Sequence, residues 1–447
     1  MILQKGKLNV GPVDLTWGSS SKGKISDYIA NTEELDFAIS HNTQNSSHVT
    51  VFDDDTSYKF QCLPSSVSNQ KVKIVIGADT CVQLDTLLKE IKDWKLTPER
   101  LFIHPNVVII SEENIKYEEE KLGRIGSTMT GVGAAKAAKV LRDENLITAD
   151  MIEELKPFIA NTHRLVIEWL REGQTGLLET SQGFDLSTDL VYDDGDVKNV
   201  NKFFPFTTSR VINPAYFVGL SFVPHKFIGS VILNLRTYPI RVGDSSNNQG
   251  DITFKFENGS ERACKNKVIV GRSLDGGKNI NHSYIDFAKN ENKQNFINSF
   301  KKSPNEFYFG KDKIKSIVEL GSSGKCYPDQ KEITWEEISE RCGEKVLEMT
   351  SLTKRLRRCF EPSVLQIKNA TMCCMPTHIT INFVNYLDKN IKGAKGKYSI
   401  ELIKETFPKV YDFIKFVEDN QYYQDENKAV VKYLGTGPRR SEIIEII

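Results

Sequence analysis

A large single α/β domain, with a mostly parallel central β-sheet flanked by helices, is the fold class this sequence predicts. Three observations predict it. The first half alternates apolar runs of strand length with amphipathic runs of helix length, which is the pattern of strand–helix–strand crossovers. Near the start, an apolar strand runs into a Gly/Ser/Lys turn and then into a helical stretch. The chain has 447 residues, 39% of them hydrophobic and 26% charged, enough to bury a sizeable core. The expected organisation is one domain over 1–447, with 244–323 as an insertion within it.

The elements follow in order. VDLTWGSSSKGKISDYIA (13–30) reads as strand, tight turn and helix. VKIVIGA (72–78) is a buried strand, LDTLLKEIKDW (84–94) a helix, RLFIHPNVVII (100–110) a strand and AAKAAKVLRDENL (134–146) a helix. From about 244 to 323 the character changes to Asn, Lys, Gly and Ser, with short alternating runs and an Asn258-Gly259 hairpin signal. This predicts an inserted, mainly antiparallel element. Helical patterns return at ITWEEISERCGEKVLEM (333–349) and SIELIKETFPKVYDFIKFVEDN (399–420). The adjacent Cys373 and Cys374 read as buried strand fillers.

Composition excludes several classes. Lys+Arg and Asp+Glu both total 59, so the formal net charge is zero and neither a nucleic-acid partner nor a polybasic membrane contact is expected. No run approaches the roughly 18 apolar residues that span a bilayer. The first residues lack a basic stretch followed by an apolar one, so no signal peptide is expected. The eight cysteines are scattered, without a CxxC pair or zinc spacing, which predicts a reducing, cytoplasmic setting (the host cytoplasm for a phage protein).

The sharpest local feature is Gly18-Ser-Ser-Ser-Lys22-Gly23-Lys24. Small residues let the backbone fold tightly and aim its N–H groups at one spot. A helix N-terminus adds its dipole and the lysines add charge, which together suit a phosphate. The spacing is not that of a Walker A loop, which needs four residues between Gly and GK and a hydroxyl after the lysine.

This stretch resembles the W-G-D-E-G-K-G-K loop of the adenylosuccinate synthetase family, and further motifs follow in register. Q-N-S-S-H-V-T-V (44–51) resembles N-A-G-H-T-V, and L-P-S-S-V (63–67) resembles L-P-S-G. I-G-S-T-M-T-G-V-G (125–133) is similar to G-T-T-G-R-G-I-G, L-E-T-S-Q-G (178–183) to E-G-A-Q-G, and F-P-F-T-T-S (204–209) to Y-P-F-V-T-S. I-R-V-G (240–243), C-Y-P-D-Q (326–330), T-K-R-L-R-R (353–358) and Y-L-G-T-G-P-R-R (433–440) complete ten matches spread over almost the whole chain.

The resemblance implies a ligase that joins L-aspartate to C6 of a purine nucleoside monophosphate. A nucleoside triphosphate first phosphorylates O6, and the aspartate amine then displaces that phosphate. Such chemistry needs a base near N1, cations and Mg2+ around the phosphoryl group, and guanidinium forks for two carboxylates. By resemblance, His48, Gln182 and Ser19 stand at the catalytic positions. Ser20, Ser21, Lys22, Gly23, Lys24 and His48 would meet the triphosphate, with Thr436, Gly437 and Pro438 at its base. Ser19, Asn45, Ser127, Thr128, Gln182, Thr208 and Arg241 would meet the monophosphate. Thr353, Arg355, Arg357 and Arg358 would bind aspartate. Mg2+ would be met by Ser19 and the backbone of Ser47. A homodimer is implied as well.

Four departures bear on specificity. The family's catalytic Asp is Ser19 and its Glu is Ser20. The same Asp-to-Ser change marks the family's phage branch, which makes 2-aminoadenylosuccinate from dGMP; a small hydroxyl leaves room for the guanine 2-amino group. The guanine-reading T-K-L-D appears as Thr377-His378-Ile379-Thr380, without its carboxylate, which points to ATP or dATP in place of GTP. The family's loop Arg, which reaches across the dimer, is Thr130. Eighty residues separate Gly243 from Gly324, where the family needs only a few. The expected reaction is therefore (d)GMP to 2-amino-(deoxy)adenylosuccinate. The alternatives are a conventional IMP-using adenylosuccinate synthetase and an inactive nucleotide-binding sensor.

Overall fold

The structure is a computed structural model. It describes residues 1–122, 125, 127–190, 206–242, 252–257, 261–264, 267–286, 290–319, 323–349 and 356–447. Ten strands form the central sheet: β1 (Leu8–Asp14), β2 (Phe37–Ser40), β3 (Lys73–Ile76), β4 (Leu101–Ile103), β5 (Gly176–Glu179), β6 (Ile228–Arg236), β7 (His378–Asn382), β8 (Gly396–Tyr398), β9 (Val430–Gly435) and β10 (Ile443–Ile446). Their spatial order is β8-β10-β9-β7-β6-β1-β5-β2-β3-β4. Every neighbouring pair is parallel except β9 with β10.

Successive strand residues face opposite sides, so a sheet covered on both faces needs apolar residues at consecutive positions. Leu178, Leu233, Ile379 and Leu434 belong to one apolar cluster. Their neighbours Leu177, Ile232 and Tyr433 belong to a second cluster, which also takes in Ile25 and Ile29 of helix α1 (Lys22–Thr32). Helices α2 (Leu84–Asp93), α3 (Glu112–Lys121) and α4 (Val132–Leu141) follow in the first half.

Several sequence expectations shift at their edges. The run 100–110 is two strands, Leu101–Ile103 and Val108–Ile109, because His104-Pro105 turns the chain and Asn106 N–H bonds back to His104 Nδ1. The 134–146 helix begins at Val132 and ends at Leu141, where Arg142 is left-handed. The 333–349 stretch is helical only over Trp335–Cys342, opened by a Thr334/Glu337 capping box and closed by left-handed Gly343. Pro408 splits 399–420 into Ile400–Thr406 and Pro408–Asp419. Cys373 and Cys374 are not strand residues; they end the helix Val364–Cys374, and Cys373 is exposed.

In the 244–323 segment, the described strands form a six-stranded sheet with a helix at Asn290–Lys302. All its described pairings are antiparallel. Ile252–Phe256 and Glu261–Cys264 pair as the predicted hairpin, whose Asn258-Gly259 turn lies outside the described residues. The segment has its own apolar cluster, built on Phe254, Phe256, Phe296, Phe300 and Phe307.

Candidate active site

In parallel sheets the carboxyl ends of the strands are where loops can meet around a ligand. β1 ends at Asp14, and the chain then turns through 15–21 into α1. Ser19 and Ser21 have positive φ values of 57° and 62°. A side chain in that region costs on the order of 1–2 kcal/mol, so the turn holds only if its surroundings determine it. They do. The buried Ser20 donates its hydroxyl to the Asp14 carboxylate. The Ser20 carbonyl accepts from Asn234 Nδ2 at 2.8 Å and Asn382 Nδ2 at 2.9 Å. The Ser19 carbonyl accepts from Arg236 Nη1 at 2.9 Å, while Ser19 itself is exposed. Asn234, Arg236 and Asn382 all come from the carboxyl ends of β6 and β7.

The two lysines behave differently. Lys22 Nζ donates to the Gln182 carbonyl at 2.8 Å and lies 3.6 Å from Asp14 Oδ2. Burial pulls its pKa down, and Asp14 opposes the pull. Lys24 Nζ donates to the carbonyls of Gly437 at 2.6 Å and Glu442 at 2.8 Å. Burial pulls its pKa down to about 7, with the Glu442 carboxylate only partly opposing the shift. Lys24 thereby ties α1 to the loop carrying Thr436, Gly437 and Pro438. Thr436 is buried and donates to the Ala394 carbonyl at 2.6 Å; Pro438 is exposed.

His48 lies beside the first turn of α1. A β-carbon on Gly23 would stand 2.7 Å from His48 Cβ and 2.7 Å from Ser65 Oγ, so only glycine permits this approach. His48 Nδ1 is 2.6 Å from Glu179 Oε1, and Glu179 also accepts from Ser65 N–H at 2.9 Å. A carboxylate accepts, so Nδ1 carries the proton and Nε2 is the ring's accepting nitrogen. Gln182, at φ 68°, donates Nε2 to Asn45 Oδ1 at 2.9 Å, and Thr43 donates its hydroxyl to the same oxygen at 2.8 Å. Ser47 is half-buried next to His48. Thus Ser20, Lys22, Gly23, Asn45, His48 and Gln182 converge.

In the loop that the resemblance assigns to the monophosphate, Ser127 Oγ accepts from Met129 N–H at 3.1 Å and Thr128 Oγ1 is 3.5 Å from Thr130 Oγ1. The N–H groups that open α4 already bond the buried Glu118 carboxylate, Gly131 at 2.8 Å and Ala134 at 3.3 Å. Behind this loop, Lys136 Nζ and Arg210 Nη1 hold Asp79 at 2.6 Å and 3.0 Å. Thr208 is half-buried and its N–H donates to the Leu186 carbonyl at 2.7 Å. Arg241 is buried, donates to the carbonyls of Lys325 at 2.7 Å and Phe206 at 3.1 Å, and lies 4.8 Å over Trp17. Its guanidinium is engaged with main chain rather than left for a sugar phosphate.

Thr353 and Arg355 lie outside the described residues. Of the rest of the arginine run, Arg358 is committed to Glu332 at 2.7 and 2.8 Å and to the Gly324 carbonyl at 2.8 Å. Arg357 instead meets Glu348, Nη1 to Oε2 at 3.2 Å, and Glu348 Oε1 is 2.5 Å from Arg236 Nη2. Through Arg236 this arginine reaches the Ser19 turn. The register of β7 also places Thr377 and His378 at the end of the strand away from the site. His378 opens the strand beside Ile232 and Val430, and Thr380 is buried on Asn234 Oδ1 at 2.6 Å. Asn382 and left-handed Phe383 stand at the site end instead, and neither carries a carboxylate.

No cluster of three or more His, Cys, Asp or Glu able to hold a metal occurs among the described residues. The buried carboxylates near the turn, Asp14 and Glu179, are both engaged by protein donors. The hydroxyl of Ser19 and the carbonyl of Ser47 are hard oxygen donors, which suit a Mg2+ that arrives with most of its ligands from the triphosphate and water. Residue-by-residue reading missed Asp14, Glu179, Asn234, Arg236 and Glu348. The signal for two of them was present: Asp14 and Glu179 are acids closing otherwise apolar or neutral strands.

The profile of the family described as adenylosuccinate synthetase matches residues 13–151. Over 441 residues, the chain is 26% identical to the N6-succino-2-amino-2'-deoxyadenylate synthase of Vibrio phage phiVC8, covering 96% of each protein. It is 29% identical to the adenylosuccinate synthetase of Methanococcus aeolicus over 234 residues, 51% of this chain and 66% of that protein. In fold it matches the cyanophage S-2L succinoaminodeoxyadenylate synthetase, a structure bound to dGMP and dATP as an energy donor, with a TM-score of 0.66 at 20% identity over 99% of this chain and 96% of that one. The fully ligated adenylosuccinate synthetase of Plasmodium falciparum follows at 0.61 and 14%, covering 98% of this chain and 99% of that one.

Proposed function

We propose that the chain is a ligase of the adenylosuccinate synthetase type that joins L-aspartate to C6 of dGMP, with dATP or ATP as phosphoryl donor. The product is the 2-amino-2'-deoxy analogue of adenylosuccinate. The observation that carries this reading is Ser19, one of the site's altered positions. The turn 15–24 keeps its lysines, its glycine against His48 and its contact with Gln182, and presents a small exposed Ser19 hydroxyl where the family has a carboxylate. The names of the phage relatives support the guanine and deoxy assignments.

In the first step, O6 of the purine attacks the γ-phosphorus, the bond to the β,γ-bridging oxygen breaks, and N1 gives up its proton to solvent water, because Ser19 leaves no carboxylate there to take it. Lys22 and the N–H groups of the turn bind the triphosphate as charge shifts toward its leaving diphosphate. His48, oriented by Glu179, turns Nε2 toward the transferring group. Asn45 and Gln182, already bonded to each other, orient the purine edge. Ser127, Thr128 and Thr208 supply hydroxyls to the 5'-phosphate. The Ser19 hydroxyl and the Ser47 carbonyl would hold Mg2+, which would supply neutralisation of phosphate charge. In the second step the aspartate amine attacks C6 and phosphate leaves, with Arg357 holding a substrate carboxylate. A homodimer accompanies this reading. Val140 and Leu141 at the end of α4 are 80% and 78% exposed, apolar side chains that association would cover.

The test is a panel of dGMP, GMP, IMP and AMP against dATP, ATP and GTP, read by loss of aspartate and by product mass. Preference for dGMP is expected. A preference for IMP would refute the guanine assignment and leave the ligase reading standing, whereas no aspartate-dependent turnover with any pair would refute both.

A further inference from the structure

The wall between the arginine run and the Ser19 turn has an unusual charge arrangement. Two guanidiniums share one carboxylate. Glu348 Oε1 is 2.5 Å from Arg236 Nη2 and accepts from the Tyr386 hydroxyl at 3.1 Å; Oε2 accepts from Arg236 Nη1 at 3.3 Å and Arg357 Nη1 at 3.2 Å. Arg236 is fully buried, and the side chains of Glu348 and Arg357 are 15% and 14% exposed. The Nε atoms of both arginines are buried without a hydrogen-bond partner. Described charges in the cluster therefore sum to one surplus positive charge, and donors remain for one further anion.

Two guanidiniums repel unless an anion lies between them, and a desolvated pair repels more than an exposed one. Burial opposes the charge on Glu348, yet Arg236 and Arg357 together hold its carboxyl below the usual carboxylate range. Resting on the aspartate-ligase reading above, we propose that Glu348 is the positioning residue of the aspartate site. It holds Arg357 ready for a substrate carboxylate, and through Arg236 it couples that site to the Ser19 turn. The same arginine bonds Glu348 and the Ser19 carbonyl, so the two halves of the active site share one rigid cation. A rival role for the same carboxylate is that of a resident competitor, occupying Arg357 until aspartate displaces it. Its four bonds from three separate residues favour a fixed part of the wall over a group that leaves.

The experiment compares wild type, Glu348→Gln and Glu348→Asp in steady state, with the monophosphate and triphosphate that wild type uses best. Glu348→Gln keeps the shape and removes the charge. The expected result is at least a tenfold rise in aspartate KM, with monophosphate KM changed less than threefold, and partial recovery in Glu348→Asp. Unchanged aspartate saturation in a folded Glu348→Gln would overturn the proposal, and a lowered KM would establish the competitor role in its place. Where Glu348→Gln does not fold, Tyr386→Phe removes only the hydroxyl on Oε1. A rise of about twofold or more in aspartate KM is then expected, and no change overturns the proposal. Wild type inert toward aspartate would instead refute the ligase reading itself.

Discussion

Glu179→Gln tests the site at its most constrained point. Glu179 is fully buried and makes three kinds of contact: His48 Nδ1 at 2.6 Å, Ser65 N–H at 2.9 and 3.1 Å, and the Ser65 hydroxyl at 3.4 Å. Glutamine has the same shape but only one accepting oxygen. Turned toward His48, its NH2 confronts the Ser65 N–H. Turned the other way, its NH2 confronts Nδ1–H and forces the proton to Nε2. Replacing an ionised acceptor with a neutral one loses about 1–1.5 kcal/mol, and the stranded buried donor costs about 1–3 kcal/mol more. The sum is roughly 2–4 kcal/mol, divided between folding and the transition state. Turnover is therefore expected to slow by roughly one to three orders of magnitude, with aspartate KM within threefold of wild type. The assay is single-turnover phosphoryl transfer followed by steady-state kinetics, after calorimetry has shown that the variant is folded. A folded Glu179→Gln with wild-type turnover would refute the placement of His48 at the reacting phosphoryl group.

Single contacts support three more expectations. In Gly23→Ala, better helix propensity contributes up to about 1 kcal/mol, but a β-carbon 2.7 Å from both His48 Cβ and Ser65 Oγ costs about 1–3 kcal/mol, so crowding wins; a lower melting temperature and turnover slowed at least about tenfold are expected, and unaltered turnover would contradict the close packing. Lys24 titrates near pH 7 in the fold against 10.5 in the unfolded chain, so between those values the unfolded chain holds more protons and stability rises with pH; triphosphate affinity moves the opposite way, weakening above pH 7 as Lys24 loses its charge, which calorimetry across pH 6–9 would reveal. Ser19→Asp adds a carboxylate beside the guanine amino group and should lower dGMP turnover by roughly 10²-fold or more while raising IMP turnover; equal loss on both nucleotides would point to a damaged turn rather than altered specificity.

The strand–turn–helix unit was legible because everything that shapes it locally lies within the single stretch 8–32: an apolar strand, three serines between glycine and lysine, and a helix with Ile25 and Ile29 facing inward. The convergence of His48, Asn45 and Gln182 was legible only through the ordered motifs, since 137 positions separate Asn45 from Gln182. The long-range braces of the Ser19 turn were not legible. Asn234 and Asn382 look like ordinary polar residues ending strands, and their task depends on β6 and β7 lying side by side next to β1. Glu348 sits in a stretch that reads as helix until Gly343 ends it, so its meeting with Arg236 was invisible. The T-H-I-T segment misled for the opposite reason. Its likeness was local, whereas strand register decides which end of β7 meets a ligand.

The bracing of the Ser19 turn has a consequence for how this site can change over time. Its main chain is fastened from below by two asparagine amides and from the side by an arginine, none of which touches the side chain at position 19. The geometry of the turn and the chemistry it displays are therefore inherited separately. A reactive group at that position can be exchanged without rebuilding the socket around it, so a change of nucleotide is open to one codon. The residues that form the socket have no such freedom, because each of them supports every substrate the site could ever accept.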